Sequence, residues 1–165
     1  MDFNLIGLTK YVDRITIPQI KNRMMDVAIT LAIPFNRWLG MKIQTLTPLK
    51  VRVSSPPRTL RRNHVGGAHA CALALLGEYP AGVLLSQSFS MQDYRMIISK
   101  LSVEYFKQGR GTLIGEAIAP ATWPEEKDGE IWVELKTEIK NAKSEIVAIV
   151  DTRWQLKKWN KVKKK

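Results

Sequence analysis

Apolar positions fall into three rhythms along this 165-residue chain. Within Gln19–Leu31, the residues Ile20, Met24, Val27, Ala28 and Leu31 recur at three- and four-residue spacings, which predicts a helix with one apolar face. Pro18 suits the first turn of that helix. Pro34 and Gly40 bracket a short connector holding Phe35, Trp38 and Leu39. Met41–Thr47 and Lys50–Ser55 alternate instead, Ile43 with Lys42 and Gln44, Val51 and Val53 with Lys50 and Arg52, and so predict two strands ended by Pro56-Pro57. From His69 to about Ser88 the alternation disappears. Ala68, Ala70, Cys71, Ala72, Leu73, Ala74, Leu75 and Leu76 make a helix that is apolar nearly all round and must be buried on almost every side. The charged residue of that run is Glu78, and a carboxylate there is costly unless it has a partner or a job.

After Ser90 the pattern turns extended. Arg95–Lys107, Thr112–Ala119, Glu130–Asn141 and Glu145–Leu156 show partial alternation, as with Trp132, Leu135 and Ile139 against Glu134, Lys136 and Glu138. Turn residues separate them: Gln108-Gly109-Arg110-Gly111, Pro124 to Gly129, and Asn141 to Ser144. Four consecutive strands joined by short turns predict an antiparallel meander, and so long a meander curls under its own twist. The all-apolar helix fills the concave side. The expectation is an α+β domain, one central helix wrapped by a curved antiparallel sheet, with an N-terminal helical extension over 1–40, the domain proper over 41–156 and a basic tail over 157–165.

Composition narrows the class. The apolar fraction of 45 % is enough for a core and excludes a disordered chain. The longest uncharged apolar stretch, Val27 to Phe35, is far short of the roughly 20 residues that span a bilayer. A start of Met1-Asp2-Phe3-Asn4 lacks a secretory pattern, and a single cysteine, Cys71, excludes an intrachain disulfide framework. These features predict a cytoplasmic protein with no transmembrane segment. The net charge of +11 is unevenly spread: residues 1–62 carry +8, residues 63–156 carry −3, and six lysines fall between Lys157 and Lys165. A basic surface of this kind can hold nucleic acid, anionic lipid or the phosphates of a ligand such as coenzyme A. No nucleic-acid motif accompanies the charge, so no specific nucleic-acid partner is expected.

The candidate chemistry lies between Arg61 and Glu78. Asn63, His64, Gly66, Gly67 and His69 form the loop that enters the buried helix. A helix N-terminus offers unpaired N–H groups and a positive dipole end, which can bind a carbonyl oxygen as it becomes an oxyanion. A carboxylate can activate water or attack directly. Helix rise separates the two groups: nine residues span about 13.5 Å. If they share a site, Glu78 must come from a second subunit whose helix runs antiparallel, which predicts a two-fold dimer with two composite sites. Other readings stay open at this point. Glu78 can pair with a cation, Asn63 can be a loop residue, and Cys71 can be a nucleophile or a small buried side chain. His64, His69 and Cys71 lack further ligands at a spacing that would hold a metal.

The run Asn63, Gly66, His69, Ala70 and Glu78 resembles, without a gap, the motif of hotdog-fold acyl-CoA thioesterases of the PaaI-like branch. The resemblance implies a hotdog fold and a thioester hydrolase acting on an acyl-CoA or acyl-carrier-protein thioester. The assembly it implies is a homodimer, possible as a dimer of dimers, with no metal or redox cofactor. It implies Glu78 as general base or nucleophile, and the Ala70 N–H, with Cys71 as neighbour, as polariser of the carbonyl. Asn63 would position the water or the carboxylate, and His69 the thioester. From the residues themselves, Gly66 and Gly67 can let substrate approach the backbone, and Arg58, Arg61 and Arg62 can grip coenzyme A phosphates or form a solvated basic loop. The chain departs from the family pattern at Cys71, where a glycine is usual, and at Ile98, where related thioesterases can carry Ser or Thr. Retention of the fold with loss of turnover, leaving an acyl-CoA or acyl-carrier-protein binding module, is the alternative.

Overall fold

The computed structural model describes residues 11, 12 and 14–162. Its elements are α1 (Pro18–Ala32), a 3-10 turn (Pro34–Leu39), β1 (Lys42–Leu46), β2 (Lys50–Ser55), a 3-10 turn (Thr59–Arg61), α2 (Ala70–Ser88), β3 (Tyr94–Tyr105), β4 (Leu113–Ile118), β5 (Glu130–Lys140), β6 (Ile146–Lys158) and a 3-10 turn (Trp159–Lys161). The six strands of the described residues join one antiparallel sheet in the order β1-β2-β4-β5-β6-β3. Helix α2 packs against β2, β3, β4, β5 and β6. A central helix in the hollow of a curved antiparallel sheet is the hotdog fold.

Two expectations are corrected here. Only β4, β5 and β6 form a meander; β3 pairs with β6 at the far edge of the sheet. The segment 106–112 therefore crosses the ends of β6 and β5 instead of making a hairpin turn. The Phe106 and Lys107 N–H groups donate to Val147 O at 2.9 and 3.2 Å along the way. Turn composition marks a change of direction but carries no information about which neighbour the next strand takes. The second correction concerns α1. Ala28 is buried as expected, but Ile20, Met24, Val27 and Leu31 are exposed, and Met25 and Ile29 reach the core instead. Spacing identifies a stripe; it does not say which of two adjacent stripes finds a partner.

The sheet's parity is plainest in β5, where Ile131, Val133, Leu135, Thr137 and Ile139 are buried and the residues between them are not. Trp132 has the parity of Glu134 and faces outward, with the Arg153 guanidinium 4.7 Å from its ring centroid. That corrects its expected place beside Leu135. Lys157 and Lys158, counted with the tail in the sequence, extend β6 and pair with Glu130 and Glu126 at 2.6 and 2.7 Å. Lys163 to Lys165 lie outside the described residues.

Small residues seat α2 close to the sheet. A Cβ on Gly77 would stand 2.2 Å from a Val150 methyl, and one on Gly115 of β4 would stand 2.6 Å from Leu76 O. Pro80, in the middle of α2, lacks the N–H that would otherwise bond the Leu76 carbonyl. That carbonyl is thus left facing the bare Cα of Gly115. These contacts seat α2 close to β4 and β6, and Glu78, one residue past Gly77, faces a cavity that α1, α2, β3 and Trp154 of β6 line.

Candidate active site

The loop entering α2 is held from within by Asn63. Its Oδ1 accepts the N–H groups of Val65 and Gly67 at 3.1 and 3.0 Å, and its Nδ2 donates to Ala68 O at 3.4 Å. Gly66 has φ +79°, a conformation that a side chain would disfavour. The crossing segment braces the loop from outside: the Ala68 N–H donates to Gly109 O at 2.7 Å, and the Gln108 side chain covers Gly67. Arg61 is buried and its guanidinium donates to Gly111 O; burial, then the nearby charge of Arg62, lowers its pKa. Arg62 is exposed. The Gln108–Gly111 run, a plain turn in the sequence, is therefore part of the scaffold of the helix entrance.

His69 is the N-cap of α2. Its backbone is extended (φ −64°, ψ 146°), its Nδ1 accepts the Cys71 N–H at 3.2 Å, and its carbonyl accepts from Ala72 and Leu73. Among the described residues the Ala70 N–H has no hydrogen-bond partner. The Tyr105 hydroxyl donates to Ala70 O at 3.2 Å, which ties the end of β3 to the start of the helix. Cys71 is exposed, and with His69, Arg61, Phe35, Trp38 and Leu75 it lines a shallow apolar pocket of about 270 Å³. Among the described residues no group of three His, Cys, Asp or Glu side chains is placed to hold a metal ion.

Glu78 sits in a separate cavity of about 340 Å³, lined mostly by apolar side chains from α1 (Met25, Ile29), α2 and β3 (Met96, Ile98) together with Trp154. The carboxyl is partly buried and has no hydrogen-bond or ionic partner among the described residues; the pairing with a cation left open above is not seen there. Burial pushes its pKa from 4.5 up to about 7. Gly82, one turn on, keeps space open beside it: a Cβ there would meet Glu78 Oε1 at 3.6 Å and Trp154 at 3.2 Å. Ile98 lines this cavity. Ser99 is the extra residue of a β-bulge, and its hydroxyl donates to Arg153 O at 3.0 Å. Within one chain, then, Arg61, Asn63, His69, Ala70 and Cys71 come together at the entrance of α2, while Glu78 lies in a different pocket.

Sequence reasoning missed Asp26. It is buried on α1, accepts the Ile43 N–H at 2.9 Å, and has its pKa raised to about 6 by burial. Between the two acids lies buried Tyr79, whose hydroxyl pKa is raised by burial first and then by the fields of Asp26 and Glu78. The signal in the sequence was weak: Asp26 is an acid between Met25 and Val27, but on an amphipathic helix with a polar face one acid is ordinary.

Comparison with solved structures finds the same fold at low sequence identity. A Pseudomonas aeruginosa protein of unknown function, described as a probable thioesterase, is 24 % identical, with 86 % of this chain and 97 % of that one covered and a TM-score of 0.72. A variant of a thioesterase enzyme from Staphylococcus aureus is 14 % identical, covering 75 % and 98 %, with a TM-score of 0.65. A mutant thioesterase from Pseudomonas aeruginosa is 11 % identical, covering 88 % and 97 %, with a TM-score of 0.71. No curated protein matches the chain. The match to a family model spans residues 21–156, from the first turn of α1 to near the end of β6. The chain belongs to that family, described as a domain of unknown function, DUF4442.

Proposed function

We propose that this protein hydrolyses an acyl thioester, with coenzyme A or an acyl carrier protein as the thiol, at two sites shared across a homodimer. The observation that carries the reading is the Glu78 carboxyl: partnerless among the described residues, raised to about 7, and aimed into an apolar cavity wide enough for an acyl chain. A base is most effective when its pKa lies near the working pH. Glu78 takes a proton from water, the resulting hydroxide adds to the thioester carbonyl carbon, and the oxyanion rests on the partner subunit's Ala70 N–H. Collapse breaks the C–S bond, and the thiolate leaves with the proton that Glu78 held. Attack by Glu78 itself would pass through an anhydride that water then opens. His69 holds the Cys71 N–H and so leaves the Ala70 N–H as the free donor at the helix start; Asn63 keeps the loop in the shape that presents it. Exposed Arg62 is the better placed of the two arginines for coenzyme A phosphates, since Arg61 is held by Gly111.

Support for the shared site comes from β3. It is an edge strand of 12 residues paired only with β6 among the described strands, and Ile97, Leu101 and Tyr105 are exposed along it. An unpaired edge of that length is a template for a second chain. Ile97 lines the Glu78 cavity, whereas Tyr105 bonds Ala70 O. Two copies of β3 paired antiparallel about Leu101 set Ile97 of one opposite Tyr105 of the other, which brings each Glu78 cavity toward the partner subunit's Ala70.

Complementation tests the reading. Ala70→Pro removes the N–H at a position where proline is tolerated, behind a residue already extended as proline requires. Thiol release from a panel of acyl-CoAs should be lost in Ala70→Pro and in Glu78→Gln separately. Mixed and re-equilibrated in equal amounts, the two should recover about a quarter of wild-type activity, because half of the dimers then carry one intact site of two. No recovery would contradict the shared site, and no release from any thioester by the wild type would favour the binding module.

A further inference from the structure

From the structure we infer that α1 is a docking surface for an anionic phospholipid bilayer. The inference goes beyond thioester hydrolysis and does not depend on it. On α1 the residues buried against the body of the protein are Met25, Asp26, Ala28 and Ile29. A second apolar stripe runs along the same helix: Ile17, Ile20, Met24, Val27 and Leu31, at alternating spacings of three and four, each between 39 and 52 % exposed. The stripe is about 21 Å long at 1.5 Å per residue. Exposed apolar residues scattered singly need no explanation, but a continuous line of five does.

Charge decides the occupant. From residue 14 to residue 62 the chain has ten basic residues and one acid, Asp26, which is buried. Arg23, Arg37, Lys42 and Arg58 line one cleft of about 390 Å³ together with Val27 and Leu31, two members of the stripe; Asp26, in the field of Arg23 and Lys42, also lines it, so the four cations outnumber one carboxylate. The apolar line and the basic cleft thus share an edge. A helix with one exposed apolar face flanked by arginine and lysine is the arrangement that lies in the plane of a bilayer, its apolar side at the acyl boundary and its cations among anionic headgroups. A second copy of the chain is the poorer occupant, because a two-fold contact on this face would set the Arg23 and Arg37 clusters of the two copies against each other. The buried side of α1 supplies Met25 and Ile29 to the Glu78 cavity, so a docked helix would stand between the lipid and that cavity.

The test is co-sedimentation of the whole 165-residue chain with vesicles of phosphatidylcholine alone and of phosphatidylcholine mixed with phosphatidylglycerol. The wild type should sediment with the mixed vesicles and release as salt is raised. The pair Arg23→Gln with Arg37→Gln should weaken binding about 25-fold, each basic residue near such a surface being worth about fivefold. Met24→Asp with Val27→Asp should weaken it more than tenfold. Lys143→Glu, in the exposed β5–β6 turn, should leave binding within about twofold. All three alter exposed positions, and unchanged thermal unfolding and subunit number would show that fold and assembly are intact. Failure of the wild type to bind the mixed vesicles overturns the proposal. So does binding unaffected by the α1 variants, which would move it to the lysines near the C-terminus. A change in subunit number in the Met24, Val27 variant also overturns it, by assigning the stripe to contact between copies.

Discussion

The entrance of α2 and the turn that carries Glu78 differ in how their polar groups are satisfied. At the helix entrance almost every polar group has a partner: Asn63 makes three side-chain hydrogen bonds, His69 caps the helix, Arg61 is held by Gly111, and Ala68 by Gly109. Two turns on, Glu78 faces an apolar cavity with no partner among the described residues and a pKa raised to about 7. A satisfied polar group is already fixed in place, and moving it costs its hydrogen bonds. An unsatisfied carboxylate is held there against its own preference, and that cost is tolerated where the group has work to do. In the proposed mechanism the entrance is scaffold around the Ala70 N–H, and Glu78 is the reactive end.

Exchanging the reactive group should give the largest effect. Glu78→Gln keeps the shape of the side chain and removes the base, so thiol release should fall by about 10²–10⁴-fold while thermal stability holds or rises. Equal losses of activity and stability would erase the contrast between the two ends.

The pH dependence of stability should follow with a known sign. Glu78 binds its proton more tightly folded than unfolded, because its pKa is about 7 in the fold against an ordinary 4.5. Its contribution is therefore complete below about pH 4.5 and is lost as pH rises through about 7. Relative to Glu78→Gln, the wild type should lose on the order of 2–3 kcal/mol across that window, read by urea unfolding at several pH values. Asp26, raised to about 6, adds a change of the same sign to both proteins, so their difference isolates Glu78.

Changes to the scaffold should act the other way, on stability first. Gly77→Ala drives a methyl into Val150, and about 1–3 kcal/mol of destabilisation is expected from overpacking that seam. Asn63→Ala removes acceptors for the Val65 and Gly67 N–H groups in a partly exposed loop, a loss of about 1 kcal/mol by chemical denaturation. Catalysis in Asn63→Ala should weaken only as far as the loop loosens. An activity loss as large as that of Glu78→Gln would give Asn63 a direct role.

Much of this was readable in the sequence, for identifiable reasons. Helix α2 declared itself because no polar face survives between His69 and Leu76, and Glu78 stood out against that background. β2 was legible to the residue, since Val51 and Val53 alternate with Lys50 and Arg52 and Pro56 ends the run. Strand order was not legible, because Gln108 to Gly111 looks like any Gly-rich turn whether it joins neighbours or crosses two strands. The buried side of α1 was misread because Met25 and Ile29 form a stripe as regular as that of Met24 and Val27, and only the position of the sheet selects between them. Asp26 escaped notice because it sits in an amphipathic helix, where one acid is ordinary; its burial and its bond to the Ile43 N–H are tertiary facts.

The account stands most directly on thiol release from short, long and aromatic acyl-CoAs, measured for wild type and Glu78→Gln across pH. The prediction is wild-type turnover that rises with pH through about 7, following the Glu78 carboxylate, and that all but disappears in the variant. Turnover in Glu78→Gln equal to the wild type, with the same pH profile, would contradict it.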